Sequence, residues 1–232
     1  MEKKENKKSR FHYGFMIVIC CCAFSFTSVA LCFGCAGIFY TPVSEALGVS
    51  RGTFALSMTF MSLASGFSMP LVSRLIERYT LKRLLITDLV LQILCFAAQS
   101  QFKAVYLFYL TGIVLGFVQA FMTSVLMTVA LNRWFKTKVG LFIGLSSSMT
   151  GVSGILINPI AGAFMTRFGW ENTYLLYAAI LAVIALPFAI FVFRDDPRDM
   201  ELLPYGYEEA ERYRKEHEGD AVIVDGVPYQ DA

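Results

Sequence analysis

Charge is scarce in this chain. Only 16% of its 232 residues are Asp, Glu, Lys or Arg, against about a quarter in an ordinary soluble domain. A water-facing surface is therefore not what the composition describes. Histidine is nearly missing, at two residues, and there is no cluster of metal-ligand type, no glycine-rich phosphate cradle and no nucleophile with a base in reach. Enzymatic chemistry is thus not expected, no cofactor is implied, and nucleic acid is not an expected partner. Nor does any apolar stretch alternate in polarity over about ten residues, as strands of a membrane barrel would.

What is present is apolar: 56% of positions fall in the set AVILMFWYC and 15% are aromatic. These residues gather in six blocks, near 14–40, 53–72, 84–102, 105–131, 139–165 and 173–193. About twenty helical residues span the roughly 30 Å hydrocarbon core of a bilayer, so each block is long enough to cross once. The backbone polar groups must then be satisfied within each helix. The expectation is an all-α membrane protein with six transmembrane helices, flanked by a basic segment at 1–13 and, at 194–232, an acidic tail or the start of a linker. The first block follows a basic stretch as a secretory signal would, but it is too long and lacks a small-residue cleavage site, so it reads as a retained helix.

Basic residues choose the orientation. Residues 1–13, the second connection and the fourth connection hold twelve Lys or Arg, whereas the alternate connections hold only Arg51, Lys103 and Arg167. The positive-inside rule places both chain ends in the cytoplasm of a multi-pass protein of the cell membrane. Residues 1–193 carry net +9 and residues 194–232 net −7. In that tail 205–217 can form a solvated helix and 222–227 a short hairpin.

Several polar or small residues within the blocks are candidates for function. Gly112, Gly116, Gln119 and Thr123 fall on one helix face. Gln119 and Thr123 therefore make a polar patch that serves either a solute or interhelical hydrogen bonding. Thr27 and Ser28 lie at similar depth, although hydroxyls also bond back to their own helix. Asp88 is an acid within a crossing, which suits an ion pair with the basic second connection or a gating role. Gly140, Gly144, Gly151 and Gly154 let the fifth helix pack closely against a neighbour. The six cysteines, including the Cys32/Cys35 pair, read as small reduced packing residues. Gly151-Val152-Ser153-Gly154 on six crossings resembles the rhomboid intramembrane proteases, yet His12 and His217 lie outside the crossings and cannot serve Ser153.

Two connections carry a fuller resemblance. Ser73-Arg74-Leu75-Ile76-Glu77-Arg78-Tyr79-Thr80-Leu81-Lys82-Arg83 is similar to the G-x-L-a-D-r-x-G-r-k-x loop of the major facilitator superfamily, with Ser73 and Thr80 in place of the glycines. Arg133-Trp134-Phe135-Lys136-Thr137-Lys138-Val139-Gly140, with Phe168-Gly169-Trp170 and Asp196-Pro197-Arg198 further on, resembles the branch of monocarboxylate carriers and oxalate/formate antiporters. The resemblance implies one half of that fold, built from two inverted three-helix repeats, in a carrier that works by alternating access. Its partners would be the lipid bilayer, a small organic solute such as a monocarboxylate or other organic anion, and a second six-helix half, missing here or supplied by another copy. On that reading Gln119, Thr123, Thr27 and Ser28 line the solute site. Glu77, Arg78, Lys82, Arg83 and Asp88 belong to a cytoplasmic latch. The alternatives are a homodimeric half-transporter and a non-transporting membrane interaction module. Oxalate/formate antiporters have an aromatic residue where Gln119 stands, and the mid-membrane fourth helix holds no Arg or Lys, so an anion would need its countercharge from elsewhere.

Overall fold

The computed structural model describes residues 12–200, 203–207 and 211, with the side chains of 123–125 and 198–199 outside that description. Most of the basic segment 1–13, most of the tail helix expected at 205–217 and all of the hairpin expected at 222–227 also lie outside the described residues.

The described chain is helical almost throughout. Helix α1 is Gly14–Ala46, α2 Arg51–Arg78 and α3 Leu81–Gln99. Helix α4 covers 105–134, α5 139–168 and α6 170–192. By length and composition, Gly14–Ala46, Arg51–Arg78 and the run Val139–Val192 are long and apolar enough to cross a membrane, and Val105–Ala120 is a shorter apolar helix. Helix α3 is more polar, since Lys82, Arg83, Asp88, Gln92 and Gln99 all fall within it.

The boundaries have local causes. Gly48 turns the chain out of α1 at φ 64°, and the Ser50 hydroxyl accepts the Thr53 N–H to start α2. Helix α3 begins three residues earlier than the apolar block suggests, because the Asp195 carboxylate accepts the Lys82 N–H at 2.7 Å and so serves its exposed first turn. The polar stretch 166–172, expected as a connection, is helical except at Gly169, whose φ of 84° and ψ of 168° divide α5 from α6. The turn is this short because Asn172 and Thr173 bond back to the carbonyls of Phe168 and Gly169. Only glycine holds that backbone conformation without strain.

Contacts between the rods fix their directions. Cys22 meets Ser146, Thr150 reaches the Ser25 carbonyl, and Asn158 reaches that of Gly34, so α1 and α5 run parallel. Tyr109 donates to the Thr53 carbonyl while Gly112 and Gly116 lie against Ser57 and Met61, so α2 and α4 are parallel too. Gln99 and Thr111 pair at the ends of α3 and α4, which are antiparallel. A Cβ on Gly112 would stand 2.7 Å from the Ser57 oxygen, and one on Gly116 would overlap the Met61 oxygen. Only glycines allow this approach, the small-xxx-small device of membrane helices.

The α2–α3 junction, flanked by Arg74, Arg78, Lys82 and Arg83, and the α4–α5 junction, with Arg133, Lys136 and Lys138, meet at one end of the bundle with residues 193–200 and 203–207. There Trp134 donates to the Arg194 carbonyl and Tyr13 to that of Val192. Lys82 reaches Ile190, and His12 bonds the Leu203 carbonyl at 3.0 Å. Tyr205 exchanges main-chain bonds with Trp134 and Lys136, a single parallel bridge. The rings of Phe15, Phe135, Phe142 and Tyr205 close this knot. Toward the other end, Phe39, Phe96, Tyr174 and Tyr177 form an aromatic ladder joining α1, α3 and α6.

Candidate functional site

Ten residues in the middle of α1, Ser25–Gly34, are wound as a wide π-type helix, a departure frequent at functional sites. At its centre the Ser28 carbonyl accepts two amides, from Gln92 of α3 at 2.9 Å and from Gln119 of α4 at 3.1 Å. The Ser28 hydroxyl returns a bond to the Gln92 oxygen at 2.7 Å. Gln92 also donates to the Cys32 sulfur one turn along. Ser28, Gln92 and Gln119 are fully buried. Three helices therefore meet on one main-chain oxygen, in surroundings where each polar group needs its partner.

Thr27 is equally buried, and its hydroxyl bonds back to the Ala23 carbonyl at 2.6 Å. Thr123 stands on α4 one turn beyond Gln119, and its side chain is among those not described. Asp88 lies one turn before Gln92 on α3, buried to 6% exposure, and its Oδ2 has no hydrogen-bond partner among the described residues. Among the described residues no Lys or Arg is paired with that oxygen. Glu77, Arg78 and Arg83 are exposed at the bundle end, while Lys82 holds the last turn of α6 through the Ile190 carbonyl.

The six glycines divide sharply. Gly112 and Gly116 form the α2–α4 contact, whereas Gly140, Gly144 and Gly151 have nothing within reach of a Cβ, and Gly154 meets only Asn158 of its own helix. Ser153 is buried with its hydroxyl unpartnered among the described residues, while His12 is held at the bundle end by Leu203. All six cysteines are free thiols, and the described residues contain no group of metal-ligating side chains.

Sequence reasoning did not single out Gln92 and Gln99. Their signal was available: with Asp88 they fall at i, i+4 and i+11, one polar face of an otherwise apolar helix, and all three are buried. Gln99 donates to Thr111 at 3.1 Å and lines a partly open cleft. Buried Phe54, Phe96, Phe108 and Tyr174 wall that cleft, and half-buried Ala36, Tyr40, Ser57 and Met58 mark its opening between α1 and α2. Cys32 lines it as well, so the cleft ends one side chain away from the Ser28–Gln92 cluster.

A family model described as Major Facilitator Superfamily matches residues 18–211. The chain is 21% identical over 160 residues to the uncharacterized MFS-type transporter YcxA of Bacillus subtilis (strain 168), covering 68% of this chain and 39% of that protein. Over 78 residues it is 30% identical to the riboflavin transporter RibJ of Trypanosoma cruzi (strain CL Brener), covering 34% of this chain and 16% of that protein. The chain thus spans about two fifths of the first of these relatives and less of the second.

Proposed function

From the premise that the chain belongs to the major facilitator superfamily, we propose that it forms one half of a carrier that moves a small organic solute across a membrane by alternating access. The family points to transport rather than catalysis. In this reading the six rods are six crossings arranged as two inverted three-helix repeats, both chain ends face the cytoplasm, and the membrane is the cell membrane. A second six-helix unit, from the rest of a longer chain or from another copy, completes the pathway. The parallel pairing of α1 with α5 and of α2 with α4 supports the alternating directions such crossings require. The unoccupied face at Gly140, Gly144 and Gly151 supports a neighbour on that side of α5.

The observation that carries the reading is the Ser28–Gln92–Gln119 cluster: two buried amides from different helices converge on one carbonyl, separated from a cleft by the Cys32 side chain. Buried, convergent polar groups beside an otherwise apolar pocket are how small-molecule sites are built. Gln119, Ser28, Thr27 and Thr123 are the residues proposed to meet the solute, with Gln92 added. The latch comprises Glu77, Arg78, Lys82, Arg83 and Asp88, where the basic connection approaches the end of α6. A monocarboxylate or other organic anion would depend on a cation from the second unit, because none of the described residues lining the cleft is positively charged.

Uptake into proteoliposomes by the intact two-unit protein tests this. Gln119→Ala removes one of the two amides on the Ser28 carbonyl and is expected to change solute affinity or rate about 5- to 100-fold, the equivalent of a buried hydrogen bond lost. Unaltered affinity and rate for the true solute would remove Gln119 from the site.

A further inference from the structure

The cleft walls bear directly on the chemistry of the solute. Five rings surround the space: Tyr40, Phe54, Phe96, Phe108 and Tyr174. Among the described residues that line it, none carries a charge of either sign. Desolvating a carboxylate there would be uncompensated, so an anion is disfavoured. A cation would need either an acid, which is lacking among them, or open ring faces. The faces are engaged with one another. Phe54 and Phe108 meet edge to face at 5.2 Å, Tyr40 and Phe54 likewise at 6.0 Å, and Phe96 stacks on Tyr174. Rings packed in this manner leave mixed edges and partial faces toward the space, which suits another ring set offset or edge-on. Polar recognition comes from Gln99. One of its amide hydrogens goes to Thr111, leaving the second hydrogen and the oxygen available in the amide's inventory.

We infer that this cleft takes a small, uncharged, ring-bearing molecule with one neutral polar substituent, held by the aromatic wall and by Gln99. The inference rests on the carrier reading only in making the cleft part of the solute's route; binding itself can be measured apart from transport.

Benzamide, benzoate and benzylamine are rings of nearly equal size that are neutral, anionic and cationic at pH 7. Equilibrium dialysis of the radiolabelled compounds against the full chain in nanodiscs, with empty nanodiscs subtracted, reads their affinities. Saturable benzamide binding in the millimolar range is expected, as befits so small a ligand. It should be about tenfold or more tighter than either charged analogue, whose desolvation the wall leaves uncompensated. Ala36→Phe on α1 and Ser57→Phe on α2 each insert a ring at the opening and should weaken benzamide about tenfold or more by overpacking the space. Equal affinity for a charged analogue, no saturable binding, or binding untouched by both substitutions, as for simple partition into lipid, overturns the inference. The comparison among the three ligands uses the unaltered chain and so stands even if a substituted protein fails to fold. Saturable, substitution-sensitive binding of benzamide without solute counterflow by the intact protein would refute the carrier reading and keep this one. Counterflow of a charged, ringless solute that survives both substitutions would do the reverse.

Discussion

The most connected atom of the inner bundle is the Ser28 carbonyl oxygen, and its neighbours differ in what their loss should do. Replacing Gln92 with Leu leaves the Ser28 hydroxyl without its acceptor and removes one of two donors to the carbonyl. We expect a loss of about 1–3 kcal/mol, the penalty of a buried polar group left unmade, read as a lowered midpoint of thermal unfolding in detergent. Thr27→Val should change that midpoint far less, because the hydroxyl serves only a carbonyl of its own helix, whose main-chain bond remains. Asp88→Asn is the opposite case. Its Oδ2 has no partner to lose, so the neutral amide should leave stability unchanged or raise it while altering transport if the residue gates; a marked fall in the midpoint would show an interaction that the described contacts do not include. At this scale the sequence was partly legible. An amide inside an apolar block declares itself at Gln119 and, by the same rule, at Gln92 and Gln99. That Ser28 contributes its main-chain oxygen does not, since the carbonyl belongs to every residue and only the winding of α1 sets it toward both amides.

Among the helices, glycine positions distinguish close contact from open face. Gly116→Val should sharply reduce folded yield, because even a Cβ overlaps the Met61 oxygen and α4 cannot approach α2. Gly144→Ala, with open space around it, should be tolerated in the isolated chain and should lower the affinity of a second six-helix unit if α5 packs there. Size-exclusion profiles of the two variants separate these outcomes. Gly169→Ala should cost about 1–3 kcal/mol for holding a side chain in that backbone region, seen again in the unfolding midpoint. The apolar blocks read from sequence located the rods well, since hydropathy reports the solvent a segment meets. They made the α5–α6 junction too long because polar Thr166, Arg167, Glu171 and Asn172 resemble a connection, although the break is confined to Gly169 and Asn172 and Thr173 fold the chain back within one residue. The early start of α3 was equally hidden, being set by Asp195 more than a hundred residues away in the chain.

In the molecule as a whole, the strongest sequence signal was the uneven placement of Lys and Arg, and the structure gathers the α2–α3 and α4–α5 connections at one end. Single cysteines at exposed Arg78 and at exposed Arg51, in a chain freed of its native thiols, should react with an impermeant maleimide from opposite sides of sealed vesicles, Arg78 from the inside. Labelling of both from one side would break the alternating-direction reading. The same end holds the stitch between Tyr205 and the Trp134–Lys136 turn, with Trp134, Tyr13 and His12 fastened to Arg194, Val192 and Leu203. Because these bonds close a loop of chain across four helices, spreading the rods there would break several of them at once. The bundle is therefore hooped like a barrel at one rim, and whatever bending it undergoes has to be taken up above the hoop, where among the described residues no main-chain-to-main-chain hydrogen bond ties one helix to another.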